Sequence, residues 1–341
     1  MKTNLLVEQH FHGCYGVDFN KATVDDILDV AHKILKDGVG YIFPTLVTDT
    51  VENTKRQVKI IKEAAQKTTS DMAKICGVHI EGIFLNPEKK CIHDAKLFLK
   101  PTIENIKLVE DDFVKIITLA PELSDYETLK YLQDRGIKVQ AGHCVGGDLT
   151  YCNGTTHTFN GMKGIVHRGE STALSALIND NIYTEVIADG VHVSDDALKL
   201  LFRAKPVDKV ILISDCLSCT HSDIKEFDFA GSKIYFDGIE ATSKEGTIAG
   251  STKLVPDIIK ILTSTSLFPE WKNTKYMDGI DVSSNRFKKC FGVGVLALSG
   301  KLKDSARQSI AFMKKGKSSL WADGLLPCLV IDDYAFYNNC A

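Results

Sequence analysis

Residues 137–168, IKVQAGHCVGGDLTYCNGTTHTFNGMKGIVHR, decide how the chain reads. An apolar, β-branched run stops abruptly at Gly142-His143. Fourteen residues on, a shorter run stops at Thr156-His157, and a basic pair, His167-Arg168, follows. A strand covered on both faces is a near-continuous apolar run, so a sudden polar residue marks its end. Two histidines at the carboxyl ends of neighbouring strands, with an arginine just beyond, suit a metal site beside an anion site.

Outward from this stretch the same alternation runs along most of the chain. Apolar runs predict strands at 5–11, 39–43, 74–81, 113–119, 137–142, 154–158, 182–188 and 209–215. Apolar residues at helical spacing predict helices at 23–37, 51–66, 102–109, 126–135, 171–179 and 194–204. In the first of these Val24, Ile27, Leu28, Ala31, Ile34 and Leu35 share a face, Thr23 suits the cap, and Gly38 stands where a helix stops. Eight strands alternating with helices is the count for an α/β protein of the (β/α)8 TIM-barrel type, which takes this length as one unit. The link between the fifth and sixth strands is too short for a crossover helix with its loops, so a loop is expected there. After Asp215 the regularity fades. Residues 216–245 read as polar turns with a small hairpin at SKIYFDG, and 246–262 as a turn into a helix. Beyond these, apolar runs at 292–300 and 325–332 suit strands of an added β layer. The expected division is a barrel over 1–262 and a C-terminal segment over 263–341.

With 44% hydrophobic and 25% charged residues among 341, the composition is that of a soluble globular protein. A net charge of −3 argues against a general binder of nucleic acid or anionic membrane, so any anion must be held by a local site. The polar first ten residues do not read as a secretory signal, and no apolar run is long enough to span a bilayer. A cytoplasmic protein is expected. The ten cysteines are scattered, and the one CxxC pair, Cys216 and Cys219, has no second pair for a zinc ribbon, so reduced and inert thiols are expected.

In a barrel of this kind, polar residues at the carboxyl ends of the strands face the active-site mouth. Those ends carry His10 and His12, Glu81, His143, His157, Asp189 with His192, and Asp215. His10 and His12 are two apart, so on a strand they point the same way. Imidazoles and carboxylates without thiolate suit zinc, iron(II) or manganese. Four histidines with Glu81 and Asp215 exceed what one catalytic ion needs, and two ions would use them all. Each group alone has a plainer reading, as a buried hydrogen-bonded histidine, a capping aspartate or a solvated arginine, and His79 is given that reading. The metal reading rests on their falling together at the predicted strand ends.

Several stretches, in this order, closely resemble the motifs of the N-acetylglucosamine-6-phosphate deacetylase family of the amidohydrolase superfamily. They are HIEGIFLNPEKKCIH (79–93), GHC (142–144), THTFNGM (156–162), HR (167–168), ADGVHV (188–193), ISD (213–215) and GTIAGS (246–251), and the resemblance covers roughly residues 5–262. It implies a metal-dependent hydrolase that converts N-acetyl-D-glucosamine 6-phosphate to glucosamine 6-phosphate and acetate. Glu81, His143 and His157 would hold the principal divalent metal, zinc first, with iron(II) or manganese as alternatives. His10 and His12 match the pair that holds a second ion in some members. Asp215, beside the metal, would be general base and then acid, and His93 would orient or polarise the acetamide carbonyl. Arg168 and His192, with backbone N–H groups near Asn160 and Gly161, would hold the sugar phosphate. A homodimer is also implied. Where the family usually has THLFNAM and HREPG, this chain has THTFNGM and HRGES, so a differently shaped phosphate loop is expected. An absent amino-terminal β segment and a poorly matching carboxyl-terminal part are expected on this resemblance, and with them an incomplete small β domain. The alternatives are a deacetylase of N-acetylgalactosamine 6-phosphate and a truncated, catalytically weak paralogue that only binds amino-sugar phosphates.

Overall fold

The apolar runs lie side by side as parallel strands. The computed structural model describes residues 5–206 and 209–264. The expected strands at 292–300 and 325–332 lie outside the described residues, as does nearly all of the segment 263–341. In chain order and in space, β1 (Leu6–Phe11), β2 (Val39–Val47), β3 (Val78–Glu81), β4 (Val114–Leu119), β5 (Lys138–Ala141), β6 (Gly154–Thr155), β7 (Tyr183–Val186) and β8 (Val210–Leu212) are successive neighbours. Every pairing between them is parallel. The two ends of the sheet meet just past β8, where Asp215 N–H donates to His10 O at 2.9 Å and His12 N–H to Cys216 O at 2.8 Å. The barrel therefore closes at its carboxyl rim, through residues that carry the expected chemistry.

Helices cover the outside: α1 (Val24–Lys36), α2 (Val51–Lys67), α3 (Ile103–Lys107), α4 (Tyr126–Asp134), α5 (Thr172–Ile178), α6 (Asp195–Ala204) and α7 (Val255–Ser264). Thr23 caps α1 reciprocally with Asp26, so two otherwise unpaired N–H groups are satisfied. Its inner stripe of Ile27, Val30, Ala31 and Ile34 has no exposed surface. Each fully buried Val or Ile there contributes about 1.5–3 kcal/mol.

As the spacing requires, no helix joins β5 to β6. Asn153 makes the direct passage workable: its N–H donates to Val139 O at 2.8 Å while its side-chain oxygen accepts from Val139 N–H at 2.9 Å. One residue thus occupies both ladder positions beside β5.

The largest departure from the sequence reading follows β8. Instead of turns with one hairpin, the chain builds a four-stranded antiparallel sheet from β9 (Glu226–Phe229), β10 (Ser232–Phe236), β11 (Ala241–Ser243) and β12 (Ile248–Gly250). Its strands are short and partly exposed, so they lack a long apolar run. Phe229, Ile234, Ala241 and Ala249 pack with Leu217, Val47 and Ile92, which sets the sheet over the rim near the end of β2. The chain then returns as α7, which is tied to the barrel by Glu8. The Glu8 carboxyl accepts the N–H of Ser214 at 3.2 Å and of Val255 at 3.3 Å, and its burial pushes it up to about 8. All seven described cysteines are free thiols and only Cys91 is exposed. No described helix is long and apolar enough to cross a membrane.

A charge cluster on the outer surface joins the turn after β8 to α7 and α1. His221 donates to Asp257 Oδ2 at 2.9 Å and lies 3.4 Å from Asp37 Oδ2. The Tyr15 hydroxyl also donates to Asp37, and Lys260 sits 3.3 Å from Asp257 Oδ1. The Asp257 bond raises His221 above its ordinary 6.5. Burial alone would raise Asp257, but the His221 bond lowers it below 3.8. A raised histidine stabilises fully below its unfolded pKa and loses that contribution as pH rises through its folded value. A lowered carboxylate stabilises above its unfolded pKa and loses it as pH falls. The pair therefore contributes most between pH 3.8 and 6.5. His221→Gln is expected to lower the melting temperature most near about pH 5 and least near about pH 9. Equal losses at both pH values would show that the pair does not act this way.

Candidate metal centre and active site

β1 delivers His10 and His12 to the rim, β3 delivers Glu81, and the turns after β5, β6 and β8 deliver His143, His157 and Asp215. All six side chains are buried. Glu81 Oε2 lies 3.2 Å from His10 Nε2 and 2.9 Å from His12 Nε2. Asp215 Oδ1 lies 3.4 and 3.2 Å from the same two nitrogens. The other oxygen, Glu81 Oε1, lies 2.8 Å from His157 Nε2 and 3.3 Å from His143 Nε2. Two groups result, His10–His12–Glu81–Asp215 and Glu81–His143–His157, each with its potential ligand atoms within 4.8 Å of one another. Glu81 belongs to both.

The histidine tautomers test whether this donor set fits divalent ions. The outward ring nitrogens face acceptors: His12 Nδ1 lies 3.3 Å from Thr45 O, His143 Nδ1 2.7 Å from Lys89 O, and His157 Nδ1 3.1 Å from Asn160 O. His10 Nδ1 lies 3.2 Å from a carboxylate oxygen of Glu185. Oxygens of these kinds only accept, so the hydrogen belongs on Nδ1 and the Nε2 lone pair turns inward. This is the arrangement in which histidine ligates metal. Inward lone pairs on His143 and His157, whose Nε2 atoms are 3.2 Å apart, repel unless a proton or a metal cation lies between them. The residues fit the ions.

Burial would raise the Glu81 pKa, but when the rings also carry a proton on Nε2 the charge on His10 and hydrogen bonds from His10, His12 and His143 hold it well below the carboxylate range. Asp215 is held far down in the same way, mainly by His10 and His12 against its burial. Both are therefore ionised at neutral pH.

The local backbone is strained at three of these six residues. His143, His157 and Asp215 have φ of 47°, 30° and 54°, in the left-handed region that residues with a Cβ avoid. Just past Glu81, Gly82 has φ 145°, and a Cβ there would meet Thr48 N at 2.5 Å, so only glycine lets the chain pass β2 at this turn. The segment NPEKK acts through its backbone. Asn86 caps a turn at Pro87–Lys89, its N–H donates to His143 O at 2.9 Å, and the Lys89 carbonyl orients the His143 ring.

The remaining expected residues are distributed around this centre. His93 places Nδ1 2.7 Å from the Thr48 hydroxyl, and its ring centroid is 4.5 Å from that of His143. Burial and then the charge of His143 push its pKa well down, so it is neutral. His192 pairs with Asp189 at 2.9 Å, and neither belongs to the two ligand groups. The His192 bond outweighs burial and lowers Asp189 to about 2. Asn160 orients His157, and a Cβ on Gly161 would lie 2.9 Å from the His143 ring. Arg168 is exposed on the loop that follows. His79 is a hydrogen-bonded core histidine, with Nε2 2.8 Å from Thr118 Oγ1 and Nδ1 3.2 Å from Gln9 O.

Two residues at the centre escaped the sequence reading. Glu185 contacts His10, and its only signal was a lone carboxylate inside the apolar run IYTEVIA. Phe229, from the added sheet, packs edge-on against the His12 ring at 5.1 Å and had no signal in the periodicity.

No family model matches the sequence. It is 28% identical over 302 residues to N-acetylglucosamine-6-phosphate deacetylase of Bacillus subtilis, covering 84% of this chain and 74% of the relative. It is 26% identical over 339 residues to N-acetylgalactosamine-6-phosphate deacetylase of Escherichia coli O157:H7, covering 94% and 86%. Residues up to 262 cannot make up 94% of the chain, so the likeness extends past the barrel. The crystal structure of N-acetylglucosamine-6-phosphate deacetylase from Pasteurella multocida superposes with a TM-score of 0.70 at 27% identity, covering 77% of this chain and 71% of that one. That from Thermotoga maritima gives 0.68 at 25% identity, covering 78% and 74%. Fold and rim chemistry define a TIM barrel of the metal-dependent amidohydrolase type. Within that class, the chain is related to the N-acetylglucosamine-6-phosphate deacetylase family.

Because Glu81 serves both groups, Glu81→Ala is expected to leave well under one tightly bound divalent ion per chain. His143→Ala should spare the His10–His12–Asp215 side. Elemental analysis after dialysis against zinc checks this, and full metal content in Glu81→Ala would refute the shared role.

Proposed function

We propose that this protein hydrolyses N-acetyl-D-glucosamine 6-phosphate to D-glucosamine 6-phosphate and acetate. The observation that carries the proposal is the Glu81 carboxylate, whose two oxygens face two sets of inward imidazole nitrogens. The relatives and neighbours named as deacetylases of such sugar phosphates support the substrate. Glu81, His143 and His157 would hold the principal ion, proposed as zinc, and His10, His12, Glu81 and Asp215 a second. A bound divalent ion supplies Lewis acidity and a water acidic enough to attack an amide at neutral pH.

The chain's own groups supply the rest. Asp215, ionised and buried, takes the proton of the attacking water and returns it to the departing amine, without which the C–N bond does not break. Thr48 can direct its hydroxyl hydrogen to His93 Nδ1, because its oxygen already accepts Ile83 N–H at 3.2 Å. The hydrogen of the neutral imidazole then sits on Nε2 and can donate to the acetamide oxygen as charge builds there. Arg168 and His192, with backbone N–H groups near Asn160 and Gly161, hold the phosphate. Binding energy from that remote group positions the acetamide. Phe229 covers the His12 ring and keeps bulk water from that side. A cytoplasmic location and a homodimer are proposed with this reading, on the family resemblance.

A second reading, the galactosamine epimer, draws on the E. coli relative that covers 94% of this chain. Acetate release measured on both epimers distinguishes the two by kcat/KM. Release from neither, by metal-loaded protein, would favour a binding protein without turnover. Asp215→Asn is expected to bind the sugar phosphate yet lose about 10²–10⁴ in kcat, and near-normal kcat would remove Asp215 from its role. Arg168→Ala should raise KM for the phosphorylated sugar and leave the slow hydrolysis of N-acetylglucosamine itself unchanged.

A further inference from the structure

Glu185 lies on β7 with no exposed surface. Its Oε1 receives Gln9 Nε2 at 2.6 Å and Gln140 Nε2 at 3.1 Å, and its Oε2 lies 3.2 Å from His10 Nδ1. Three donors from β1 and β5 thus converge on one carboxylate. The space for this is built in: a Cβ at Gly154 would sit 2.5 Å from Gln140 Oε1, so only glycine there lets Gln140 take its place. The other three histidines of the centre rest their Nδ1 atoms on neutral backbone carbonyls. His10 alone rests on a carboxylate.

Two physical consequences follow. A carboxylate that accepts from Nδ1–H fixes the ring tautomer and makes Nε2 a stronger donor to a cation than a carbonyl does. A fully buried carboxylate is also costly unless its charge is offset. The two amides and the imidazole satisfy its hydrogen bonds. With Glu81 and Asp215 it makes three buried carboxyl groups set round the His10 ring.

We propose that Glu185 is the positioning residue for the cation held by His10 and His12, holding the His10 ring with Nε2 inward. The inference rests on the two-cation reading given above. It also accounts for Gln9 and Gln140, whose amide groups hold the Glu185 carboxyl from two strands.

The test titrates metal-free protein with cobalt(II), read by calorimetry, elemental analysis and the visible d–d absorption. Wild type is expected to bind two ions with two spectral components. Glu185→Gln keeps the size of the side chain and removes the charge. It should weaken one site about 10–100-fold, erase that site's spectral component, and leave the other site unchanged. Thr54→Val, also buried but on α2 away from the rim, should bind both ions as wild type does. If metal-free Glu185→Gln does not fold by circular dichroism, Gln140→Met replaces it, with a smaller loss at the same site. Two ions bound by Glu185→Gln at wild-type affinity would overturn the proposal. A wild type that binds one ion yet still releases acetate would overturn both this proposal and the two-cation reading, and leave the deacetylase reading standing.

Discussion

A single buried carboxylate has to face two ways. Glu81 Oε2 turns to His10 and His12 and Oε1 to His143 and His157, all within 3.3 Å. Nothing short of a closed barrel brings groups so far apart in sequence to one point, and the convergence explains much of the architecture. The sheet closes through Asp215 and His10 backbone atoms, so the seam and the centre are built from the same residues. In a low-dielectric interior such a set of charges and lone pairs is stable only when its hydrogen bonds are complete and its charges offset.

The surroundings keep the centre in that state. Backbone carbonyls of Thr45, Lys89 and Asn160 and the carboxylate of Glu185 set the four rings before any ligand arrives. Three of the ligand positions adopt left-handed backbone, strain that persists because the barrel packing on either side determines it. The sheet inserted after β8 brings Phe229 over His12, so one aromatic ring joins the added layer to the chemistry. Preorganisation of this kind is what allows a weak electrophile such as an amide to be attacked without reorganising the site at each turnover.

Much of this was legible before any coordinates. The helix beginning at Thr23, the loop in place of a crossover between β5 and β6, and the polar residues at six of the eight strand ends all follow from periodicity, capping and spacing, which are local properties. His79 was read as a core histidine, the ordinary role of a lone buried one, and its bonds to Thr118 and Gln9 agree. The four-stranded sheet was not: its strands are three to five residues long and half exposed, and they pair because Phe229 and Ile234 find Leu217 and Ile92 across the rim. Glu185 was not either, since an isolated carboxylate in a strand says nothing about which ring it will meet.

By itself, then, the sequence determined the number, order and direction of the barrel strands and pointed to the polar groups that gather at the rim. Hydrophobic period and polar termination act over a few residues and need no partner. The tertiary structure alone decided that Glu81 is shared, that Asp215 closes the seam, and that His10 rests on Glu185. Those facts depend on contacts between residues as far apart as the 175 positions separating His10 from Glu185. Such contacts form only when the closed barrel brings the strand ends together.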